Sequence, residues 1–395
     1  MTHGTTASRL SEQARRVEPF HVMRLLARAG ELESLGRSIV HMEVGEPDFP
    51  TPPTILEAGR RALAEGRTRY SPAGGLPALR QDIATHYARR YGSQVDPGRI
   101  LVTPGASGAL QLVFLALVQS GDRVLICDPS YPCYRQVLQL MGVEPIAVPV
   151  GPDTDYQLTP ALAAAAWVPG VRAIIVASPS NPTGSSIAPS VLGELHALCL
   201  ERGAALIVDE VYQGLIYDVP DRTAIAIGST DLYVINSFSK YFGMTGWRLG
   251  WLVGPRDAVE VMERLAQNLF IAANTPAQHA ARAAFDPETT AILETRRLLF
   301  QQRRDRLLPI LRDLGFGIPL QPTGAFYLYA SLPERLDIDS MTFATCLLEE
   351  AGVALTPGRD FGRHAAEQHL RFAYTREIAH LEEGARRVGD WLASH

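Results

Sequence analysis

The sequence predicts an α/β fold: a large domain with a mainly parallel seven-stranded sheet covered by helices, and a smaller α+β domain built from both chain ends. Three observations carry this. Seven short apolar runs rich in β-branched residues recur from residue 100 onward, each closed by a polar or glycine turn and alternating with helical stretches. The runs are near-continuously apolar, as strands buried on both faces must be. In five of them the polar residues fall at the carboxyl end ("PGAS", "DPSY", "SPSNPTG", "DE", "SFSK"). That is where ligands sit in sheets of this kind.

In chain order, residues 1–40 read as a polar arm followed by a helix, "PFHVMRLLARAGELES", apolar at helical spacing. "IVHMEVGEPDFPTPP" is an extended run that breaks into a proline-rich turn. Helices follow in "TILEAGRRALAEG" and, after a glycine turn, in "YSPAGGLPALRQDIATHYARRYG". The seven strand runs are "ILVTPGAS", "DRVLICDPS", "EPIAVPV", "VRAIIVASPSNPTG", "AALIVDEVY", "DLYVINSFSK" and "GWRLGWLVG". Beyond about residue 290 the pattern changes to an arginine-rich helix (288–314), "TGAFYLYASLP", a helix near 341–351, "GVALTPGRDFG", "HLRFAYT" and a terminal helix. The expected division is 1–47 for the arm and part of the small domain, 48–287 for the large domain and 288–395 for the small domain. There is no internal repeat, and the only biased stretch is an alanine cluster at 161–166.

Composition narrows the function classes. Length 395 suits two or three domains, and 46% apolar with 20% charged residues is ordinary for a soluble globular protein. A net charge of -5 with both signs interspersed gives nucleic acid no basic face. The longest apolar run, "LVFLALV", is far short of the roughly 20 residues that span a membrane. The opening "MTHGTTASRLSEQARR" lacks the apolar core of a signal peptide. Cys127, Cys133, Cys199 and Cys346 form no CxxC pair. That argues against a structural zinc site or a disulfide framework and for a reducing cytoplasm.

Of the 37 lysine and arginine residues, 36 are arginine; the single lysine is Lys240 in "SFSKYFGMTGWRLG". A coding bias accounts for the arginines but not for where the exception falls. Arginine matches lysine at every task needing a fixed positive charge, yet it cannot shed its proton near neutral pH. What remains for lysine is the work of a neutral amine: nucleophile, Schiff-base former or proton shuttle.

Other motifs each admit two readings. "TPGASGALQLVFLALV" sets a Gly/Ser loop at a helix mouth, where Ser107 can cap and the N–H groups of residues 106–108 can hold a phosphate; many helices simply start this way. "LIVDEVY" ends a buried strand in Asp209, which either meets a cation such as a pyridinium nitrogen or caps a turn. Tyr212 can present its phenol to the same ligand or pack. Asn181 in "SPSNPTG" is a turn asparagine or an amide donor to a ring-shaped ligand. Arg371 in "HLRFAYT" reaches the sheet's carboxyl edge if the small lobe folds back, or is one more surface arginine.

Taken together and in this order, "SNPTG", "DEVY" and "SFSKYFGMTGWRLG" make the chain resemble the class I/II aminotransferases related to aspartate aminotransferase, which are fold-type I pyridoxal-phosphate enzymes. The resemblance runs from "VGEPDF" to "RFAYT", nearly the whole chain. It implies pyridoxal 5'-phosphate as cofactor. It implies that Lys240 binds the cofactor aldehyde covalently and later carries the proton at the substrate Cα, and that Asp209 pairs with the pyridinium nitrogen. Tyr212 and Asn181 would hydrogen-bond the ring oxygen, and Tyr131 would stack on the ring. Ala106, Ser107, Ser237 and Arg248 would hold the phosphate. Arg371 would clamp the substrate α-carboxylate, helped by the backbone at Gly45 and by Asn181. Tyr70 would reach the phosphate of a neighbouring subunit, which makes a homodimer a requirement of the site.

The implied reaction moves an amino group from an L-amino acid to a 2-oxo acid, most often 2-oxoglutarate in this family, by ping-pong kinetics. In one branch of the family a lysine in the phosphate-loop segment binds the distal carboxylate of aspartate. Here that segment reads "GAS", so a strict aspartate assignment weakens. Tyr70, Tyr131, Tyr134, Phe326, Tyr327 and Phe361 could line a pocket for neutral or aromatic side chains, and the expected specificity is aspartate or broad. The alternative is a carbon–sulfur β-lyase or related lyase on the same fold. Family regulators that only bind the cofactor carry an extra DNA-binding domain, for which the roughly 40 residues before "VGEPDF" leave no room. A dinucleotide-dependent dehydrogenase would need a fingerprint that the first βα unit lacks.

Overall fold

The structure, a computed structural model, describes residues 10–395; the first nine residues of the expected polar arm lie outside the described residues. It has twelve strands in the described chain: β1 (Val40–His41), β2 (Ile100–Thr103), β3 (Arg123–Asp128), β4 (Glu144–Pro149), β5 (Val171–Ala177), β6 (Ala205–Asp209), β7 (Tyr233–Ser237), β8 (Gly250–Val253), β9 (Tyr327–Ser331), β10 (Val353–Ala354), β11 (Thr356–Pro357) and β12 (His369–Ala373). Strands β2 to β8 are the seven apolar runs, and they form one sheet in the order β2-β8-β7-β6-β5-β3-β4. Their side chains alternate between two cores. Val124 and Ile126 join a core under the helices Gly105–Leu117, Pro132–Leu140 and Arg256–Leu269, while Leu125 and Cys127 join the core on the opposite face.

Strands β4, β3, β5, β6 and β7 pair in parallel, so β3, β5, β6 and β7 bring Asp128, Ala177, Asp209 and Ser237 to one edge. The chain order reverses between β3 and β5, and the loops after those two strands carry Tyr131 and Asn181. One strand departs from the parallel pattern. β8 runs antiparallel to both β7 and β2, which sets its first residue, Gly250, opposite both Ser237 and Thr103. The run "GWRLGWLVG" is therefore strand only in its second half: Thr245–Trp247 form a short turn, and Arg248 sits at φ 51° before β8 begins. Apolar periodicity reports burial but not strand direction.

The C-terminal part packs a three-stranded antiparallel sheet, β11-β12-β9, against the helices Pro287–Asp313 and Ser340–Cys346, while the helix Ile378–Ser394 lies against β1, β10 and the helix Pro287–Asp313. The helix expected at 341–351 changes character after Cys346, widening into a turn over Leu347–Ala351 that Gly352 closes at φ 66°. Residues from the N-terminal part are woven into this layer. β1 pairs in parallel with β10, and Ala373 N–H donates to Met42 O at 2.7 Å. The strand that bears Arg371 is thereby tied to the segment that continues through Glu43, Val44 and Gly45. Arg371 itself stands opposite Thr356 on one side and Tyr329 on the other.

At Gly250 the sheet and a helix start touch so closely that a Cβ would come within 2.8 Å of Ala106 N, Asn236 O and Gly105 C, all backbone. We expect Gly250→Ala to destabilise the protein by about 1–3 kcal/mol through overpacking. Denaturant unfolding beside the wild type checks this.

Candidate active site

A cavity of about 580 Å³ opens at the carboxyl edge of the sheet, walled by the strand-end loops, the 43–46 segment, β12 and the start of the helix His21–Ser34. Lys240, Asp209, Tyr212, Ala106, Ser107, Tyr131, Asn181, Ser237, Arg248, Gly45 and Arg371 all line it. Tyr70 does not; it is 82% exposed on the surface of the chain.

Lys240 follows β7 and Ser239, and its Nζ donates to Gly45 O at 2.7 Å. Burial lowers its pKa to about 8; Glu46 opposes the shift, and the charges of Arg371 and Arg248 reinforce it. A carboxylate beside the amine would hold the proton on, whereas here the direct partner is a neutral carbonyl. Gly45 is glycine for a steric reason, since a Cβ there would collide with the Tyr327 hydroxyl.

Asp209 closes β6 with 6% of its surface exposed. Its Oδ1 accepts from Val211 N–H at 3.0 Å and its Oδ2 from the Tyr134 hydroxyl at 2.5 Å. Burial still raises its pKa to about 6, because the two neutral donors compensate only part of the lost hydration. The change from the usual 3.8 corresponds to roughly 3 kcal/mol of unfavourable environment for the anion, at about 1.4 kcal/mol per pKa unit. A cation brought into the cavity would compensate the remainder.

The phosphate-type features converge from three elements. The helix Gly105–Leu117 begins without a side-chain cap: of the two readings for Ser107 the capping one does not hold, since Pro104 has the cap position and Ser107 is a first-turn residue. The N–H groups of that first turn remain without intrahelical acceptors. The Arg248 guanidinium lies over them: its Nη2 is 2.9 Å from where a Cβ on Gly105 would be, and its Nη1 donates to Thr245 O at 3.0 Å. Ser237 donates to the Ser239 hydroxyl at 2.9 Å on the same edge. A helix start, a guanidinium and two hydroxyls line the same cavity, and these are donors of the kind an anion site uses.

Arg371 is buried, with its guanidinium carbon 4.2 Å from the Tyr327 ring centroid and 4.9 Å from that of Phe361. Nη1 donates to Asn181 Oδ1 at 2.9 Å; Nη2 donates to Glu43 O at 2.6 Å and to Thr356 Oγ1 at 3.2 Å. Its Nε is buried without a partner. With its oxygen bound to Arg371, Asn181 offers a ligand only its Nδ2 donors. Tyr212 and Tyr327 share a hydrogen bond of 2.7 Å.

Several of these partners were not legible in the sequence: Tyr134 for Asp209, Tyr327 for Tyr212, and Glu43 and Thr356 for Arg371. Tyr134 carried one faint signal, as it follows Tyr131 by three residues across Pro132, which opens the helix Pro132–Leu140. Of the aromatic residues expected in the pocket, Tyr131, Tyr134, Tyr327 and Phe361 line it. Phe326 is not on the cavity surface but lies just behind it, packed between Tyr212 and Phe300 with its ring centroid 5.9 Å from Lys240 Nζ. Among the described residues no cluster of His, Cys, Asp or Glu could hold a metal ion, and no helix is long and apolar enough to cross a membrane.

An amine with a lowered pKa, a buried carboxyl group, a helix start beside a guanidinium and a buried arginine thus share one cavity, an arrangement suited to a phosphorylated, aldehyde-bearing cofactor. Comparison with known proteins agrees. The profile of "Aminotransferase class I and II" matches residues 37–388. A valine–pyruvate aminotransferase of Mycobacterium tuberculosis is 38% identical over 96% of this chain and 97% of its own. An aspartate aminotransferase of Geobacillus stearothermophilus is 34% identical over 96% and 98%. The crystal structure of an aminotransferase from Mycobacterium tuberculosis superposes with a TM-score of 0.94, at 38% identity, covering 98% of this chain and all of that one. The chain belongs to the class I and II aminotransferases and is a pyridoxal 5'-phosphate-dependent aminotransferase.

Asp209→Asn removes the unpaired buried charge. We expect the cofactor-free variant to be more stable than wild type at pH 7.5 by about 1–3 kcal/mol. The sign follows from the raised pKa: wild-type Asp209 costs stability as pH rises from about 4 through 6, and the amide does not. If Asp209 is the counter-charge of the cofactor's ring nitrogen, turnover should also fall at least about a hundredfold. Unfolding and steady-state assays on the same preparation test both signs.

Proposed function

We propose that Lys240 is the residue that binds the cofactor and moves the proton at the substrate Cα. The observation that carries this is a half-buried amine, with its pKa lowered to about 8, in the same cavity as Asp209 and Arg371. Bound pyridoxal 5'-phosphate supplies an electron sink for the Cα carbanion and an aldehyde carbon that stores the amino group between half-reactions. The residues fit that group: Asp209 would meet the ring nitrogen, Tyr131 the ring face, and Tyr212 and Asn181 the ring oxygen. Ala106, Ser107, Ser237 and Arg248 would take the phosphate. Arg371 would orient the substrate by its α-carboxylate, for which the unpartnered Nε is a ready donor, with Asn181 and the backbone at Gly45 beside it. The donor is an L-amino acid and the acceptor a 2-oxo acid, with 2-oxoglutarate the first to try.

We further propose a homodimer in which Tyr70 serves the neighbouring site. Tyr70 is exposed, and so is Ile271, a β-branched residue held at φ 67°. Their two segments are joined by Thr275 Oγ1 donating to Arg69 O at 2.8 Å and Gln278 Nε2 to Ser71 Oγ at 2.9 Å. A second copy would cover both. On the same reading, residues 48–287 are the cofactor-binding domain and 288–395, with residues from 1–47, the small domain. The four free cysteines suit a reducing cytoplasm.

Lys240→Arg should abolish both the visible absorbance acquired with pyridoxal 5'-phosphate and all turnover; transamination by that variant would refute the assignment. In wild type, the capture rate of the cofactor should climb with pH to half its maximum near pH 8, not near the 10.4 or so of a solvated lysine. Mixing inactive Tyr70→Ala and Lys240→Ala subunits should restore about a quarter of wild-type activity if the tyrosine acts across the interface, since about half the dimers are then mixed and each holds one intact site. No recovery in verified mixed dimers would place Tyr70 outside the neighbouring site.

A further inference from the structure

We propose that the helix His21–Ser34 is the wall that reads the donor's side chain, and that Val22, Met23 and Leu26 on it, with Phe20 before it, select an uncharged apolar one. This deepens the aminotransferase reading and rests on it. The helix carries two apolar faces. Leu25, Ala29 and Leu32 are buried in the core. Val22, Met23 and Leu26 are not; they line the cavity that holds Lys240 and Arg371, and Met23 is 56% exposed. An apolar stripe facing a substrate cavity is surface that a bound side chain would cover.

The wall is fixed in place along its length. Asp360, buried in the turn that carries Phe361, accepts from His21 N–H at 2.7 Å and Val22 N–H at 2.8 Å, satisfying two first-turn donors. Arg28 grips Glu349 through two bonds of 2.6 and 3.0 Å, and Glu33 in the last turn meets His41 at 3.1 Å. The distance from this wall to Arg371 is thus set by the C-terminal layer, and the side chain of an amino acid clamped by Arg371 has a defined surface to meet.

The charge that this chain itself brings to the cavity points the same way. The cations lining the cavity are Lys240, Arg248 and Arg371, and each already has a role; the other charged residues, Glu43, Glu46, Asp209 and Asp360, are acidic. A distal carboxylate would lose its hydration among acids and methyl groups with no cation of this chain to receive it. An apolar side chain loses only water that it gains by shedding.

The test is the donor half-reaction alone, followed as loss of the cofactor's absorbance in holoenzyme without an oxo acid, for alanine, valine, leucine, methionine, aspartate and glutamate. The second-order rate constant for leucine or methionine should exceed that for aspartate by about tenfold or more. Met23→Ser, a change at an exposed position, should lower the leucine-to-alanine ratio by about threefold or more, and Val22→Arg should raise the aspartate-to-leucine ratio by about tenfold. Aspartate or glutamate equal to or ahead of leucine and methionine in wild type overturns the inference while leaving the aminotransferase reading intact, as does a donor ranking unmoved by both substitutions. Absence of bleaching by every donor would sink the aminotransferase reading itself, and this inference with it.

Discussion

An amine and a carboxyl group, each pushed toward its neutral form by burial, share one cavity, and the rest of the molecule is arranged around that tension. Lys240 is lowered to about 8 and Asp209 raised to about 6. Neither has an opposite charge as its direct partner: the lysine donates to a carbonyl, and the aspartate accepts from a phenol and an amide. Folding the chain alone therefore leaves electrostatic cost at the site. On the proposed roles, an aldehyde would take up the amine and a protonatable ring nitrogen would meet the carboxylate, which would remove that cost at both groups. Groups held in this state would await charge instead of having to surrender it, which is preorganisation in the physical sense.

Two backbone features make the arrangement possible. The first is the antiparallel β8, which sets Thr103, Gly250 and Ser237 side by side, so that a helix start, an arginine in a left-handed turn and a serine come together from three places in the chain. The second is the segment after β1. Its pairing with β10 and its bond to Ala373 deliver the Glu43 carbonyl to Arg371 and the Gly45 carbonyl to Lys240. One stretch of main chain thus spaces the group that would bind substrate carboxylate from the group that would do chemistry. Gly45 keeps that spacing short, because any side chain there would strike Tyr327.

The names of the relatives differ in what they transaminate, which fits this division of labour. The residues that would hold cofactor and α-carboxylate come from strand ends and from β12. The surface left for a donor's side chain comes from an N-terminal helix whose cavity-facing residues need only be apolar or charged to change the outcome. A fold can keep its chemistry and alter its substrate by changing one wall.

Much of this was legible before any coordinates. The seven strands follow from β-branched runs buried on both faces, and the site's location follows from polar residues gathered at their carboxyl ends, because local pattern and burial are written residue by residue. Lys240 stands out by arithmetic alone, since arginine cannot replace a deprotonatable amine. What only the tertiary structure decided is who meets whom. Tyr134 against Asp209, Tyr327 against Tyr212, and the carbonyl of Glu43 against Arg371 span separations of 75, 115 and 328 residues. The reversed direction of β8, the helix start at which Pro104 and not Ser107 holds the cap position, and the placing of Phe326 behind the cavity wall belong to the same class. Each depends on packing between elements distant in the chain, and apolar periodicity, which reports only that a residue is buried, holds no information about what it is buried against.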